Sequence, residues 1–185
     1  ELSFSRVTLA SLEPWLKLAG ISAPPLEAST DGTIYLSGLL RQPEGLRARI
    51  ELPGVEVLPP LVKGAVAPRL RNSGLVVLSA TRKAVRVVSA YFAGPDTNLQ
   101  VTGGVDLGTR FNAYDLRVRG SVDLNILHSF DANLVASGDS TVDANVRGRL
   151  GKPELYGRLE FRRASLNLAE GHNGVENASG VALLY

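Results

Sequence analysis

The sequence predicts an all-β protein: a curled sheet built from repeats, with an apolar concave groove and one or two short helices. Three observations predict this class. Apolar and polar residues alternate with a period of two in many segments, which is typical of strands with one apolar face. Glycine recurs at the apolar positions of these segments. The 19 glycines and 10 prolines divide the chain into short elements and leave little room for long helices.

The segment LRVRGSVDL shows the alternation clearly. Leu116, Val118, Gly120, Val122 and Leu124 form its apolar side, and arginine, serine and aspartate occupy the positions between them. Glycine lies in the same register in four further segments. The glycines concerned are Gly38, Gly103, Gly120, Gly148 and Gly157.

Glycine at a core position leaves a cavity and weakens a strand, so its repetition requires an explanation. Because glycine permits sharp bending, we expect a deeply curled sheet whose apolar face lines a groove that its own side chains do not fill. The alternative is an ordinary curved sandwich or small barrel with glycine corners. The candidate groove-lining residues are Ile34, Leu36, Gly38, Ile50, Leu52, Val101, Gly103, Val105, Leu116, Val118, Gly120, Val122, Leu124, Val142, Ala144, Val146, Gly148, Leu155, Gly157, Leu159, Phe161, Leu166 and Leu168.

Two longer repeat units organise the chain, and we interpret residues 1–185 as a single segment of a larger repeat protein. The units are residues 7–52 and 122–168, and the linking strands occupy 75–121. Each unit contains a glycine followed five residues later by a proline: Gly38 and Pro43 in the first unit, Gly148 and Pro153 in the second. Proline cannot donate to a strand ladder, so each proline is expected where a strand ends and a turn begins.

Helix is expected in two short stretches. The stretch from Ser11 to Ala19 has Ser11 as its N-cap, Pro14 in its first turn and Gly20 as its stop. Residues 125–133 form the second candidate. Neither stretch approaches the roughly 20 apolar residues of a membrane helix.

The residues of enzyme sites are missing. The chain has no cysteine, and its two histidines, His128 and His172, lack carboxylates at metal-ligand spacing. Carboxylates such as Asp106, Asp123 and Glu160 alternate with apolar residues, so they are expected to form charge pairs on the solvent-exposed face of the sheet. The net charge of +2 is too small to indicate a nucleic-acid surface. We therefore expect no enzyme, no cofactor, no metal and no nucleic-acid partner.

The segment GRLGKPELYGRLEFRRASLNL, residues 148–168, resembles the repeats of the TamB family, the translocation and assembly module proteins of Gram-negative envelopes. Gly148, Leu150, Pro153, Leu155, Gly157, Leu159 and Phe161 match the family's glycine, leucine and proline pattern, and Ala164, Leu166 and Leu168 continue it after a phase slip. A weaker match covers residues 7–52. The related AsmA-like proteins share these patterns.

The resemblance implies a β-taco that crosses the periplasm from an anchor in the inner membrane. It implies that the groove conducts phospholipid acyl chains between the membranes and supports outer-membrane biogenesis. The alternative is a docking module that helps to assemble outer-membrane β-barrels or autotransporters with an Omp85-type outer-membrane protein, through strand addition at an open sheet edge. A plain structural spacer or β-repeat adhesin is the third possibility.

Overall fold

A computed structural model describes residues 1–18, 27–39, 41–58, 69–107, 113–124, 134–149, 152–168 and 175–184. These residues form strands, one α-helix and one turn of 3-10 helix, Pro43–Gly45. The helix is α1 (Leu9–Leu18), and the strands are β1 (Leu2–Thr8), β2 (Glu27–Ser37), β3 (Arg47–Leu58), β4 (Leu70–Asn72), β5 (Val76–Thr81), β6 (Ala84–Ser89), β7 (Tyr91–Gly94), β8 (Thr97–Asp106), β9 (Ala113–Asp123), β10 (Leu134–Arg149), β11 (Lys152–Leu168) and β12 (Val175–Leu184). The predicted all-β class is confirmed.

All twelve strands belong to one sheet, and every strand pair is antiparallel. β4 and β5 pair with successive parts of β3, and β7 and β6 pair with successive parts of β8. β1 and β12 lie at the two ends of the strand order. The described strands therefore form one open sheet and neither the two sheets of a sandwich nor the closed circuit of a barrel.

The gap between β4 and β5 is bridged by the side chain of Asn72. Its Oδ1 accepts a hydrogen bond from the backbone N–H of Val55 at 2.7 Å. Its Nδ2 donates to the carbonyl oxygens of Pro53 at 2.9 Å and Gly74 at 2.6 Å. Because Pro53 has no backbone N–H, the asparagine side chain replaces ladder bonds that β3 and β4 do not form here.

Helix α1 begins three residues earlier than predicted. The hydroxyl Oγ1 of Thr8 accepts a hydrogen bond from the backbone N–H of Ser11 at 3.2 Å, so Thr8 is the N-cap and Ser11 lies in the first turn. The sequence prediction chose Ser11 because serine is among the preferred N-cap residues. The expected stop at Gly20, the second helical stretch at 125–133 and both histidines lie outside the described residues.

The two prolines of the repeat units occupy different positions. Pro43 begins the 3-10 turn between β2 and β3, as expected for a residue that ends a strand. Pro153 is instead the second residue of β11, where it pairs with Gly148. The expectation that both prolines end strands is wrong for Pro153, because proline is also tolerated at the start of a strand.

Few apolar side chains are fully buried. Among the described residues they are Leu70, Val76, Val77, Ala90, Leu124 and Ala144. An open sheet accounts for this, because its strand faces are covered mainly by neighbouring strands.

Candidate functional site

The strand register places the predicted apolar residues on one face of the sheet. Cross-strand partners in an antiparallel sheet share a face, so a chain of partners marks a row across it. The longest row runs through Ile34, Ile50, Leu78, Val87, Gly103, Leu116, Val146 and Leu155. It crosses β2, β3, β5, β6, β8, β9, β10 and β11 without a charged residue. We call the face that contains this row the apolar face.

Parallel rows extend the apolar face on both sides of the first. The row toward the β2–β3 turn contains Leu36, Ala48, Ala80, Val85, Val105, Tyr114, Gly148 and Pro153. The rows on the other side contain Val101, Val118, Ala144 and Gly157, and then Leu99, Gly120, Val142 and Leu159. Ala48, Leu78, Ala80, Val85, Val87 and Tyr114 were missed by sequence reasoning. The alternation of Leu78 with Ala80 and of Val85 with Val87 could have identified four of them.

Most residues of the apolar face are half-buried. Ala144 is buried, whereas Leu155 is 44% exposed and Leu36 is 66% exposed. Within the described part of the chain, extensive contacts between elements are limited to hydrogen-bonded strand neighbours and to α1 against β1 and β2. Most described residues of the apolar face therefore keep part of their surface exposed and do not form a closed core.

The end of the apolar face beyond Val122 is packed. Leu124 follows the last residue of β9, is only 1% exposed and contacts Leu159 and Phe161. Phe161 and Val122 are both cross-strand partners of Ser140. Leu124 thus caps this part of the face from the strand end, whereas the sequence had placed it within the strand.

The predicted residues near the sheet margins are placed by register alone or lie outside the strands. Leu52 pairs with Val76, and its side chain comes close to Gly32, as does that of Phe4. Gly38 lies just after β2. For the last two candidates only the backbone is placed: Leu166 pairs with Ala136, and Leu168 pairs with Leu134.

The expectation that the glycines leave unfilled space is wrong. A Cβ atom on Gly120 would overlap with the carbonyl oxygen of Asn98 on β8, and one on Gly157 would lie 2.6 Å from the carbonyl oxygen of Asp143 on β10. Gly120 also has a φ of 148°, in a region that other residues rarely adopt. Positive φ is shared by Gly38, Gly103 and Gly148. These glycines allow neighbouring backbones to approach closely, which a sequence pattern cannot reveal.

The opposite face carries ion pairs. The Arg117 guanidinium donates to both carboxylate oxygens of Asp143, at 2.8 and 2.7 Å, and Arg119 donates to the same carboxylate at 3.2 Å. These bonds, from Arg117 above all, lower the pKa of Asp143 to about 2. The predicted charge pairing is confirmed for Asp106 with Arg86 and for Glu160 with Arg158. The two faces of the sheet are thus chemically distinct.

A second acidic group on the sheet is held in the same way. Arg71 and Arg69 both bond the Glu56 carboxylate, at 3.1 and 3.2 Å, and the hydrogen bond from Arg71 contributes most to lowering the pKa of Glu56. These carboxylates are already paired with arginine.

The described residues contain no group of three side chains suited to a metal ion. They also contain no helix that is long and apolar enough to cross a membrane.

The described strands define an architectural class: one large antiparallel sheet with one apolar face and one ion-paired face. No family model, no curated protein and no solved structure matches the chain.

Proposed function

We propose that this chain is a segment of a periplasm-spanning, bridge-like protein that is anchored in the inner membrane. Its apolar face conducts phospholipid between the inner and outer membranes and thereby supports outer-membrane biogenesis. The observation that carries the proposal is the partly exposed apolar face, whose rows continue from β2 to β11. The resemblance of residues 148–168 to TamB-family repeats supports the same proposal.

The physical chemistry of the face favours a mobile acyl chain as its occupant. Burying one CH₂ group is worth about 0.8 kcal/mol, so a row of half-exposed aliphatic side chains can hold an acyl chain along its length. The row from Ile34 to Leu155 contains no charged side chain, and a lining without polar anchor points lets the chain slide. In this proposal the sheet curls toward its apolar face to form a groove.

The test is residue-specific photo-crosslinking. A photoreactive amino acid is placed at Val146, between Leu116 and Leu155 in the apolar row, or at its neighbour Asn145 on the opposite face. After illumination with phospholipid, we expect a lipid adduct at position 146 and little at position 145, as measured by intact-protein mass spectrometry. Equal labelling at both positions, or none at either, would contradict the proposal.

A second candidate function is docking of an outer-membrane β-barrel strand or an Omp85-type partner by strand addition. The observation that favours it is the edge strand β12, which pairs only with β11 in the described sheet. Its sequence, VENASGVALL, contains no proline and a single charged residue, Glu176, so it lacks the usual protection of an edge strand. Edge strand β1, by contrast, has a register shift at Arg6, whose φ is 52°.

The two candidates are separated by Val181→Lys, which adds a charge to the β12 edge. Docking requires this variant to lose partner binding, measured by pull-down with the β-barrel partner. Phospholipid crosslinking at position 146 should not change.

A further inference from the structure

Basic residues gather at one end of the sheet. They lie in, or next to, the turns that follow β2, β5 and β10. Arg47 pairs with Thr81, Asp106 pairs with both Ala84 and Ala113, and Ala113 pairs with Arg149, which places these turns at the same end of the strands. We call this end the basic rim and define it by Arg41, Arg47, Arg82, Lys83, Arg149 and Lys152. The described acidic residues there are Glu44 and Asp106.

The turns of the basic rim are connected to one another. The Arg82 guanidinium forms an ion pair with Glu44 at 3.4 Å, which joins the β5–β6 turn to the β2–β3 turn. The backbone N–H of Leu107 donates to the carbonyl oxygen of Lys83 at 2.7 Å, which joins the end of β8 to the β5–β6 turn. The β2–β3 turn, the β5–β6 turn and the end of β8 are therefore contiguous.

Much of the rim's positive charge is not neutralised within the protein. Arg41, Arg47, Lys83 and Lys152 are all exposed, and none forms an ion pair with another residue of the described part of the chain. Arginines in the body of the sheet are different, since Arg49, Arg86, Arg117, Arg119, Arg147 and Arg158 all have carboxylate partners. The charges of Arg41, Arg47, Lys83 and Lys152 are therefore available to an external anion.

Exposed aliphatic side chains lie beside these charges. Leu36 and Leu39 are 66% and 67% exposed, and Leu107 is 38% exposed. Leu36 belongs to the outermost row of the apolar face, next to Arg47 in register. The opposite end of the sheet has a different character, with Glu27, Asp96 and Asp123 among its described residues. The described arginines at that end, Arg69 and Arg71, are paired with Glu56, whereas the rim combines unpaired cations with exposed leucines.

We propose that the basic rim binds the phosphate of phospholipid head groups whose acyl chains lie on the apolar face. The inference rests on the proposed conduit function and adds to it a substrate class, anionic phospholipid, and an orientation, with head groups at the rim. Arginine donates to phosphate oxygens in a bidentate manner, and lysine attracts them as a point charge. The neighbouring leucines contact the glycerol end of the acyl chains.

The experiment compares two variants of equal net charge. The rim variant carries Arg41→Gln, Arg47→Gln, Lys83→Gln and Lys152→Gln. The control variant carries Arg6→Gln, Lys17→Gln, Arg69→Gln and Arg71→Gln, which lie away from the rim. Each is titrated with fluorescent phosphatidylglycerol and with diacylglycerol of the same acyl chains, which lacks the phosphate. Glycerol 3-phosphate is added as a competitor, to separate a lipid head group from a free phosphate ester.

We expect the rim variant to bind phosphatidylglycerol roughly tenfold or more weakly, since each basic residue near an anionic lipid contributes substantially to attraction. Its affinity for diacylglycerol should be unchanged, and the control variant should bind both lipids as the wild type does. The rim proposal would be contradicted if the wild type and the rim variant bound phosphatidylglycerol equally, or if both variants lost the same affinity. Neither result would contradict the conduit proposal. Displacement by glycerol 3-phosphate at lipid-like concentrations would overturn the lipid assignment. If the wild-type protein binds neither lipid, both the rim proposal and the conduit proposal are overturned.

Discussion

The Cα hydrogen of Gly120 on β9 faces the carbonyl oxygen of Asn98 on β8 so closely that any Cβ atom at Gly120 would overlap with that oxygen. The φ of 148° at Gly120 is a second reason for glycine at this position. The glycine that interrupts the apolar register therefore serves the backbone of the sheet.

The cost of the close backbone approach and the cost of the positive φ can be separated by alanine substitution at three glycines. A Cβ atom added to Gly45 would have no other atom within 4 Å, and its φ is not positive, so Gly45→Ala should be near neutral. Gly74 has equal space but a φ of 113°, so Gly74→Ala should cost about 1 kcal/mol. Gly120→Ala adds the overlap and should cost about 3 kcal/mol. Urea unfolding measures all three, and equal losses at Gly74 and Gly120 would contradict the close approach.

Asn72 should be hard to replace. Asn72→Ala removes the bonds to the Val55 N–H and to the Pro53 and Gly74 carbonyls, and we expect a loss of about 1–3 kcal/mol in unfolding free energy. Asn72→Asp should also destabilise, because a carboxylate cannot donate to the two carbonyls. The control is Asn98→Ala on exposed surface, which should change little. If Asn72→Ala left the free energy of unfolding unchanged, water would have replaced the hydrogen bonds of the side chain.

The Arg117–Asp143 pair predicts a pH dependence below neutrality. The pKa of Asp143 is about 2 in the folded protein, below the roughly 3.9 of an unfolded aspartate. Its stabilising contribution is therefore fully present above about pH 4 and is lost as the pH falls toward 2. Asp143→Asn should lower the Tm at pH 7 by no more than about 4 °C, since the pair is exposed.

The measurement is a series of thermal melts of wild type and Asp143→Asn between pH 7 and pH 2, in which the two Tm values should converge at the acidic end. Asp115→Asn is the comparison. The Oδ1 atom of Asp115 lies 3.9 Å from Nε of Arg147, which is a longer ion pair, so its loss should lower the Tm less. A Tm difference that grew as the pH fell would contradict the sign of the pKa shift.

Val146→Asp tests whether the apolar face needs to be uninterrupted. A charge in the path of an acyl chain must be desolvated or must hold water there, so phospholipid binding should fall about tenfold or more. The half-exposed site keeps the charge hydrated, and the variant should still fold. Asn145→Asp, one residue away on the ion-paired face, should bind as the wild type does.

Lipid titration and thermal melting are recorded together for this pair of variants. Normal melting with normal lipid binding in Val146→Asp would favour docking or a structural spacer. Collapse of the fold would indicate that Val146 belongs to a closed core.

Period-two alternation predicted many of the strands and many residues of the apolar face, because side chains alternate between the two faces along a regular strand. Register was not predictable. The pairing of Ile50 with both Ile34 and Leu78 depends on turns and bulges spread over three strands. The adjacent buried pair Val76 and Val77 breaks the alternation at a register shift, so sequence reasoning did not assign it to the face.

The glycines show most clearly which structural features could not be predicted from the sequence. A missing side chain in an apolar register indicates absent volume, and the groove was inferred from it. The space around Gly157 is instead filled by the backbone of Asp143 and by Ala144. That arrangement depends on the distance between strands, which residue types do not specify. The basic rim was missed for a related reason, because its residues are far apart in the chain and meet only through the order of the turns.

The strand order has a consequence for how such a protein can change in length. Each described strand is hydrogen-bonded to strands close to it in the chain, so stability is close to a sum of neighbour terms, as in other one-dimensional repeat arrays. Duplication of a hairpin would add two strands, about 10 Å of sheet, without requiring any distant contact to be rebuilt. A gene encoding this architecture can thus match its product to a given distance by copying hairpins, one at a time.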